Sequence, residues 1–105
     1  MLEQIRKQIE NEATVALYFK ASRCSVCEIL EPKIKDLLTT DFPKFSFHSF
    51  LQNKNTAALA AHFNVFHAPT LLLFLKGKEI LRTGKNTSIS QLGAQLARPY
   101  EICFG

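Results

Sequence analysis

The distribution of apolar residues predicts an α/β chain: a mixed, mainly four-stranded central sheet with a C-terminal antiparallel hairpin and helices on both faces. Three observations carry this. Thr14–Phe19 and Thr70–Leu75 are short, nearly unbroken apolar runs, the pattern of strands covered above and below by helices. The segments around them repeat apolar residues every three or four positions, the period of an amphipathic helix. After the second run, Gly77 permits a tight turn into the alternating Glu79–Thr83, as a hairpin partner requires.

Taken in order, Leu2, Ile5 and Ile9 share one helical face among Glu, Gln, Arg and Lys, which predicts an opening helix of about three turns. Thr14–Phe19 is the central strand. Beyond Ala21-Ser22-Arg23, the residues Val26, Ile29, Leu30, Ile34, Leu37 and Leu38 recur at helical spacing as far as Asp41 and Pro43, so the strand is expected to turn directly into helix at Cys24. Phe45–Leu51 reads as a second strand, joined to the first by a parallel crossover. Asn53–Phe63, with its alanines and Leu59, reads as a connecting helix. After the hairpin, Ser88 and Gln91 stand at capping-box spacing; Ile89, Leu92 and Leu96 form the buried stripe of a last helix expected to stop near Pro99. The order is α-β-α-β-α-β-β-α.

With 105 residues, 47% hydrophobic, and no linker, repeat or low-complexity tract, residues 1–105 are expected to form one domain. The net charge of +4 comes from scattered residues, unlike the continuous basic face of a nucleic-acid binder. Mildly acidic partners are compatible with it. Met1–Glu12 lacks the apolar core of a secretory signal, and no stretch is long enough to span a bilayer. Three cysteines are too few for a disulfide scaffold and suit a reducing cytosol.

The chemistry is concentrated in Cys24-Ser25-Val26-Cys27. Disulfide exchange needs a thiolate that attacks and a second thiol near enough to release the mixed disulfide. A spacing of three on a helical turn brings two sulfurs together. At a helix N-terminus, unpaired backbone N–H groups and the positive end of the dipole favour the thiolate of Cys24. Arg23 acts in the same direction, while Cys27, one turn deeper, is expected to stay protonated. The end of a central strand is also where open α/β sheets place their sites. Two other readings stand beside this one: the cysteines are small buried apolar residues, or half of a zinc site.

The segment Val15-Ala16-Leu17-Tyr18-Phe19-Lys20-Ala21 ahead of Cys24, Pro32 five residues beyond Cys27, the run Phe66-His67-Ala68-Pro69-Thr70-Leu71-Leu72-Leu73-Phe74, and Lys76-Gly77-Lys78-Glu79 with Gly84 together resemble the thioredoxin family over nearly the whole chain. The resemblance implies the thioredoxin fold, a cis peptide before Pro69 facing the cysteines, and catalysis by Cys24 as nucleophile and Cys27 as resolving thiol. It also implies that the backbone of Ala68 pairs with an extended substrate strand, with Pro69, Arg23 and His67 beside it. Protein disulfides would be the substrates and an external reductase the electron donor. No bound cofactor or metal is implied, nor a nucleic acid or membrane partner, and the protein is expected to be a cytoplasmic monomer.

The chain departs from the family pattern in carrying Arg23 where tryptophan is usual and Ser25-Val26 where Gly-Pro is usual, both of which touch redox tuning. Tyr18 stands where many members place a buried aspartate that accepts a proton from the second cysteine. A tyrosine is a poor base near neutral pH, so resolution by Cys27 is expected to be slower. Tyr18 itself reads as a core aromatic with its hydroxyl satisfied locally, the alternative being a hydrogen bond toward the site. His67 reads as a loop histidine near the rim that could tune the thiolate; His48 and His62 read as structural, and Cys103 as a tail thiol. Most phenylalanines should be core, with Phe42, Phe63 and Phe66 candidates for an apolar surface around the cysteines.

The leading expectation is a thiol-disulfide oxidoreductase. A redox-sensing or holdase-type binding module with little turnover is the first rival, and zinc binding by Cys24 and Cys27 with help from His67 or Cys103 is the second.

Overall fold

The computed structural model describes residues 1–105. Its elements follow the expected order: α1 (Leu2–Asn11), β1 (Thr14–Lys20), α2 (Ser25–Asp41), β2 (Ser46–Leu51), α3 (Ala57–His62), β3 (Thr70–Leu75), β4 (Lys78–Thr83) and α4 (Ile89–Phe104). The strands form one sheet in the order β2-β1-β3-β4. β1 runs parallel to β2 and antiparallel to β3, and β3 is antiparallel to β4. The sheet is therefore mixed, with the hairpin at one edge.

Side chains alternate across the central strands, so each face recruits its own helices. Ala16, Tyr18, Leu71 and Leu73 meet Leu30, Ile34 and Leu38 of α2 and Leu92 and Leu96 of α4. Val15, Leu17, Phe19, Leu72 and Phe74 meet Ile5 and Ile9 of α1 and Leu59 of α3. Burial on both faces is why β1 and β3 are almost wholly apolar. The edge strand β2 is only partly covered; its Phe47 packs toward the α2 side and its Phe50 toward the α1 side.

The β3–β4 turn is built by Lys76 (φ 49°) and Gly77 (φ 84°). Two positive-φ residues form the turn whose twist matches paired antiparallel strands, and glycine enters that region without a Cβ clash.

Two boundaries differ from those expected. Asn53–Thr56 is a turn rather than the start of a helix: the Asn53 Oδ1 accepts from the N–H groups of Asn55 and Thr56, and the Thr56 Oγ1 donates to the Leu51 carbonyl. These side chains offer the backbone a competing set of partners, so α3 begins only at Ala57. At the other terminus, α4 continues through Pro99 to Phe104. A proline removes one helical hydrogen bond. The turn beyond it is held by Tyr100, whose ring packs against Phe42, Phe45 and Phe104 and whose hydroxyl accepts from the Lys44 N–H.

Candidate functional site

Strand directions bring four chain segments to one end of the sheet. β1 ends at Lys20 beside the end of β2, Phe19 faces Thr70 at the start of β3, and Leu71 faces Thr83 at the end of β4. The segments that leave or enter there are Ala21–Cys24, Gln52–Thr56, Phe66–Pro69 and Gly84–Ser88. Hydrogen bonds join the end of β1 to the segments after β2 and before β3: the Gln52 N–H donates to the Lys20 carbonyl, the Gln52 Nε2 to the His67 carbonyl, and the Thr70 Oγ1 to the same His67 carbonyl.

Cys24 is the N-cap of α2 rather than part of it. A short turn, with Arg23 at φ 56°, intervenes between β1 and the helix. The Cys24 Sγ accepts from the Cys27 N–H at 3.2 Å, taking one of the donors that a helix N-terminus leaves unpaired. Cys24 and Cys27 form a disulfide with Cα atoms 5.2 Å apart, inside the range such bridges require. The two sulfurs differ in access: Cys24 is half-buried, whereas Cys27 is 1% exposed. No group of three or more His, Cys, Asp or Glu side chains is gathered anywhere in the chain to hold a metal ion. Cys103 lies in the last turn of α4 as a free thiol.

Beneath Cys27 the core holds one hydroxyl. Tyr18, with no exposed surface, donates from its Oη to the Cys27 carbonyl at 2.9 Å. Both readings of this residue thus meet in one geometry: it is a core aromatic, and its local partner belongs to the site. Burial, and then the negative charge of Glu31, push its phenol up to about 12, so Tyr18 remains protonated near neutral pH. Glu31 lies four residues beyond Cys27, one helical turn along α2, and pairs with the Lys20 Nζ at 3.0 Å. Partial burial by itself would raise the Glu31 carboxyl; hydrogen bonds from Lys20 and Ser49 and the charges of Lys20 and Lys35 outweigh it and hold the group below its ordinary value. No motif singles out Glu31 or its pairing with Lys20, although Glu31 stands at one-turn spacing from Cys27.

Across from α2, the Ala68–Pro69 peptide is cis. Pro69 is buried and Ala68 half-buried, and neither the N–H nor the C=O of Ala68 is taken by another backbone group. A Cβ added to Gly84 would lie 3.4 Å from the Pro69 carbonyl oxygen, so the loop after β4 passes close over this segment. A cavity of about 590 Å³ opens here, lined by residues 64–70 and 82–85. Arg23 and His67 are exposed at the same end. The His67 contribution to the hydrogen bonding is its carbonyl, not its ring.

The apolar surface matches the expectation only in part. Phe42 is buried at the far end of α2 and Phe63 packs edge-on against Phe74, so of the three phenylalanines considered only Phe66 is exposed, at 74%. Val26 and Ile29, read as part of the helix core stripe, are instead 42% and 61% exposed. The buried stripe is Cys27, Leu30, Ile34 and Leu38, which leaves Val26 and Ile29 on a neighbouring face.

Comparison with known proteins agrees with this architecture. A thioredoxin-like protein of Bacillus subtilis (strain 168), YdfQ, is 30% identical over 99% of this chain and 91% of its own length. Thioredoxin from Trypanosoma brucei brucei superposes with a TM-score of 0.79 at 20% identity, covering 96% of this chain and 87% of that one. Thioredoxin O2 from Arabidopsis thaliana in its oxidized state gives 0.79 at 18% identity, covering 93% and 85%; at such identities these two speak for the fold. With the Thioredoxin family model matching residues 2–98, the chain belongs to the thioredoxin family.

Proposed function

We propose that the protein is a thiol-disulfide oxidoreductase acting on protein disulfides, with Cys24 as nucleophile and Cys27 as resolving thiol. The observation that carries this reading is the asymmetry of the pair: two sulfurs within bonding reach at a helix N-terminus, one accessible and one enclosed. In the dithiol form, the Cys24 thiolate attacks one sulfur of a substrate disulfide, and the other substrate sulfur leaves as a thiolate. Cys27, having lost its proton, then attacks the Cys24 sulfur. The substrate's remaining sulfur leaves, and the Cys24–Cys27 disulfide now holds the oxidation that the substrate brought. An external reductase or other dithiol returns the two electrons. A reducing cytosol suits that cycle.

The unpaired N–H and C=O of Ala68 supply main-chain partners for an extended segment beside the sulfurs. Pro69 holds that segment in place, and Arg23 and His67 border it. Recognition through main chain would tolerate varied substrate sequences.

The test is turnover of insulin disulfides with a dithiol reductant. Native protein should turn over, Cys24→Ala should be inactive, and Cys27→Ala should accumulate mixed disulfides. Equal inactivity of all three chains refutes the general reductase. One observation favours the rival reading of a redox sensor with little turnover: the hydroxyl beneath Cys27 is a donor held protonated and gives the resolving thiol no base. Stoichiometric reaction without turnover would select that rival.

A further inference from the structure

Large apolar side chains exposed on this protein are few, and they are unevenly placed. Apart from Met1 and Ile102 near the termini, they are Val26, Ile29, Leu51 and Phe66. Val26 lies between the two cysteines and Ile29 one turn further along α2; Leu51 ends β2 and Phe66 precedes the cis peptide, so all four stand at the end of the sheet where Cys24 emerges. Exposed apolar side chains gathered at one end of a fold point to an interaction region.

Two of the four, Val26 and Ile29, line a groove of about 330 Å³ between the first turns of α2 and the segment entering α4, with Leu30, Lys33, Lys85, Thr87 and Ile89. Lys85 also lines the larger cavity under Ala68–Pro69, so the two depressions share a wall, and Val26, between the two cysteines, borders the smaller one. The charge along these depressions has one dominant sign. Lys33, Lys85 and Arg23 are exposed, and none of them belongs to an ion pair of the chain. Glu28, in the first turn of α2, and Glu31, already paired with Lys20, are the carboxylates nearest the motif, and Asp36 and Asp41 line the neighbouring depression with Lys33; none of the four lines the groove or the larger cavity.

Resting on the oxidoreductase reading, we propose that this groove selects the substrate: it takes an extended segment of a protein in which the target cysteine is flanked by an apolar residue and by aspartate or glutamate. The apolar side chain sits between Ile29 and Ile89, and the acidic groups meet Lys33 and Lys85. Apolar burial supplies affinity; the paired cations supply discrimination and encounter rate.

The experiment uses three fluorogenic disulfide peptides with the same leucine beside the cysteine, flanked by two aspartates, two lysines or two serines, read as kcat/KM at low and high salt. The acidic peptide should exceed the basic one by about tenfold at low ionic strength, and the ratio should approach one at about 1 M salt, where the screening length is ~3 Å. In the double variant Lys33→Glu, Lys85→Glu the ratio should invert. A ratio near one in the native chain, or one unchanged by the double variant, overturns the inference. Failure on all three peptides counts against the oxidoreductase reading, and the groove is then judged by backbone amide shifts in the oxidised chain on titration with the acidic peptide lacking its cysteine. Shifts at residues 26–33 and 85–89 uphold the docking site; shifts elsewhere or none refute it.

Discussion

The two ends of the sheet obey different rules. At the end where β1 begins, the chain turns through Lys76-Gly77, the Lys76 N–H donates to the Ala13 carbonyl, and the Thr14 hydroxyl donates to the Lys44 carbonyl; the surface there carries Lys44, Lys76 and Lys78. At the end where β1 finishes, Arg23 occupies left-handed backbone ahead of a cysteine cap, the Ala68 backbone has no backbone partner, and valine, isoleucine and phenylalanine face solvent. Each of these choices is locally unfavourable or wasteful. Their gathering at one end is what a binding site looks like when the rest of the fold supplies the stability.

That contrast breaks most visibly at Gly77. Valine there must adopt a φ of about 84°, while the new Cβ would meet only the Ile9 carbonyl oxygen at an ordinary contact distance of 3.8 Å, so the cost is mainly conformational and about 1–2 kcal/mol. Urea denaturation should register the loss, while insulin turnover per folded molecule stays at the native level. A parallel fall in turnover would mean that the two ends are mechanically linked.

Legibility from the sequence divides along similar lines. The hairpin, the two central strands and the cysteine pair can be read because each rests on local chemistry: glycine at a positive φ, apolar runs, a spacing of three. The extension of α4 beyond Pro99 cannot, because it depends on Tyr100 finding Phe42 and Phe45 from a distant segment. Nor can the exposure of Val26 and Ile29. They share the apolar periodicity of α2, and only the packing of α4 and the sheet decides that Cys27 and Leu30 face inward instead. The Lys20–Glu31 pair falls between these cases, visible as a spacing yet meaningful only once Lys20 and Ser49 are seen to converge on the carboxylate.

The site end is sharpened next by Tyr18→Phe, which leaves the ring in the core and removes the donor to the Cys27 carbonyl. At neutral pH the loss should be about 1 kcal/mol. The native phenol is pushed up to about 12, above the unfolded value of about 10. The folded chain therefore holds this proton more tightly than the unfolded chain, and native stability falls as pH rises from about 10 to about 12. Phenylalanine has no such proton. The gap between variant and native should narrow over that interval in denaturation series, and a gap independent of pH would assign the effect to packing.

Glu31→Gln probes the same corner from the opposite pH limit with the smallest effect. Its carboxyl is held below the ordinary value, chiefly by hydrogen bonds from Lys20 and Ser49 against the opposing effect of burial. A depressed carboxylate stabilises the fold above its unfolded pKa of about 4.3, and that contribution disappears as pH falls through the folded value. With Lys20 a third exposed, the difference at pH 7 should be only about 0.5–1 kcal/mol, and the two chains should converge when denatured near pH 3. Because the charge of Glu31 is also one of the causes that raise Tyr18, the same substitution should lower the alkaline transition of the phenol followed by its ultraviolet absorbance. Movement of both limits by one residue would place Tyr18, Glu31 and Lys20 in a single electrostatic unit beneath Cys27. Movement of the acid limit alone would separate the surface pair from the hydroxyl that touches the site.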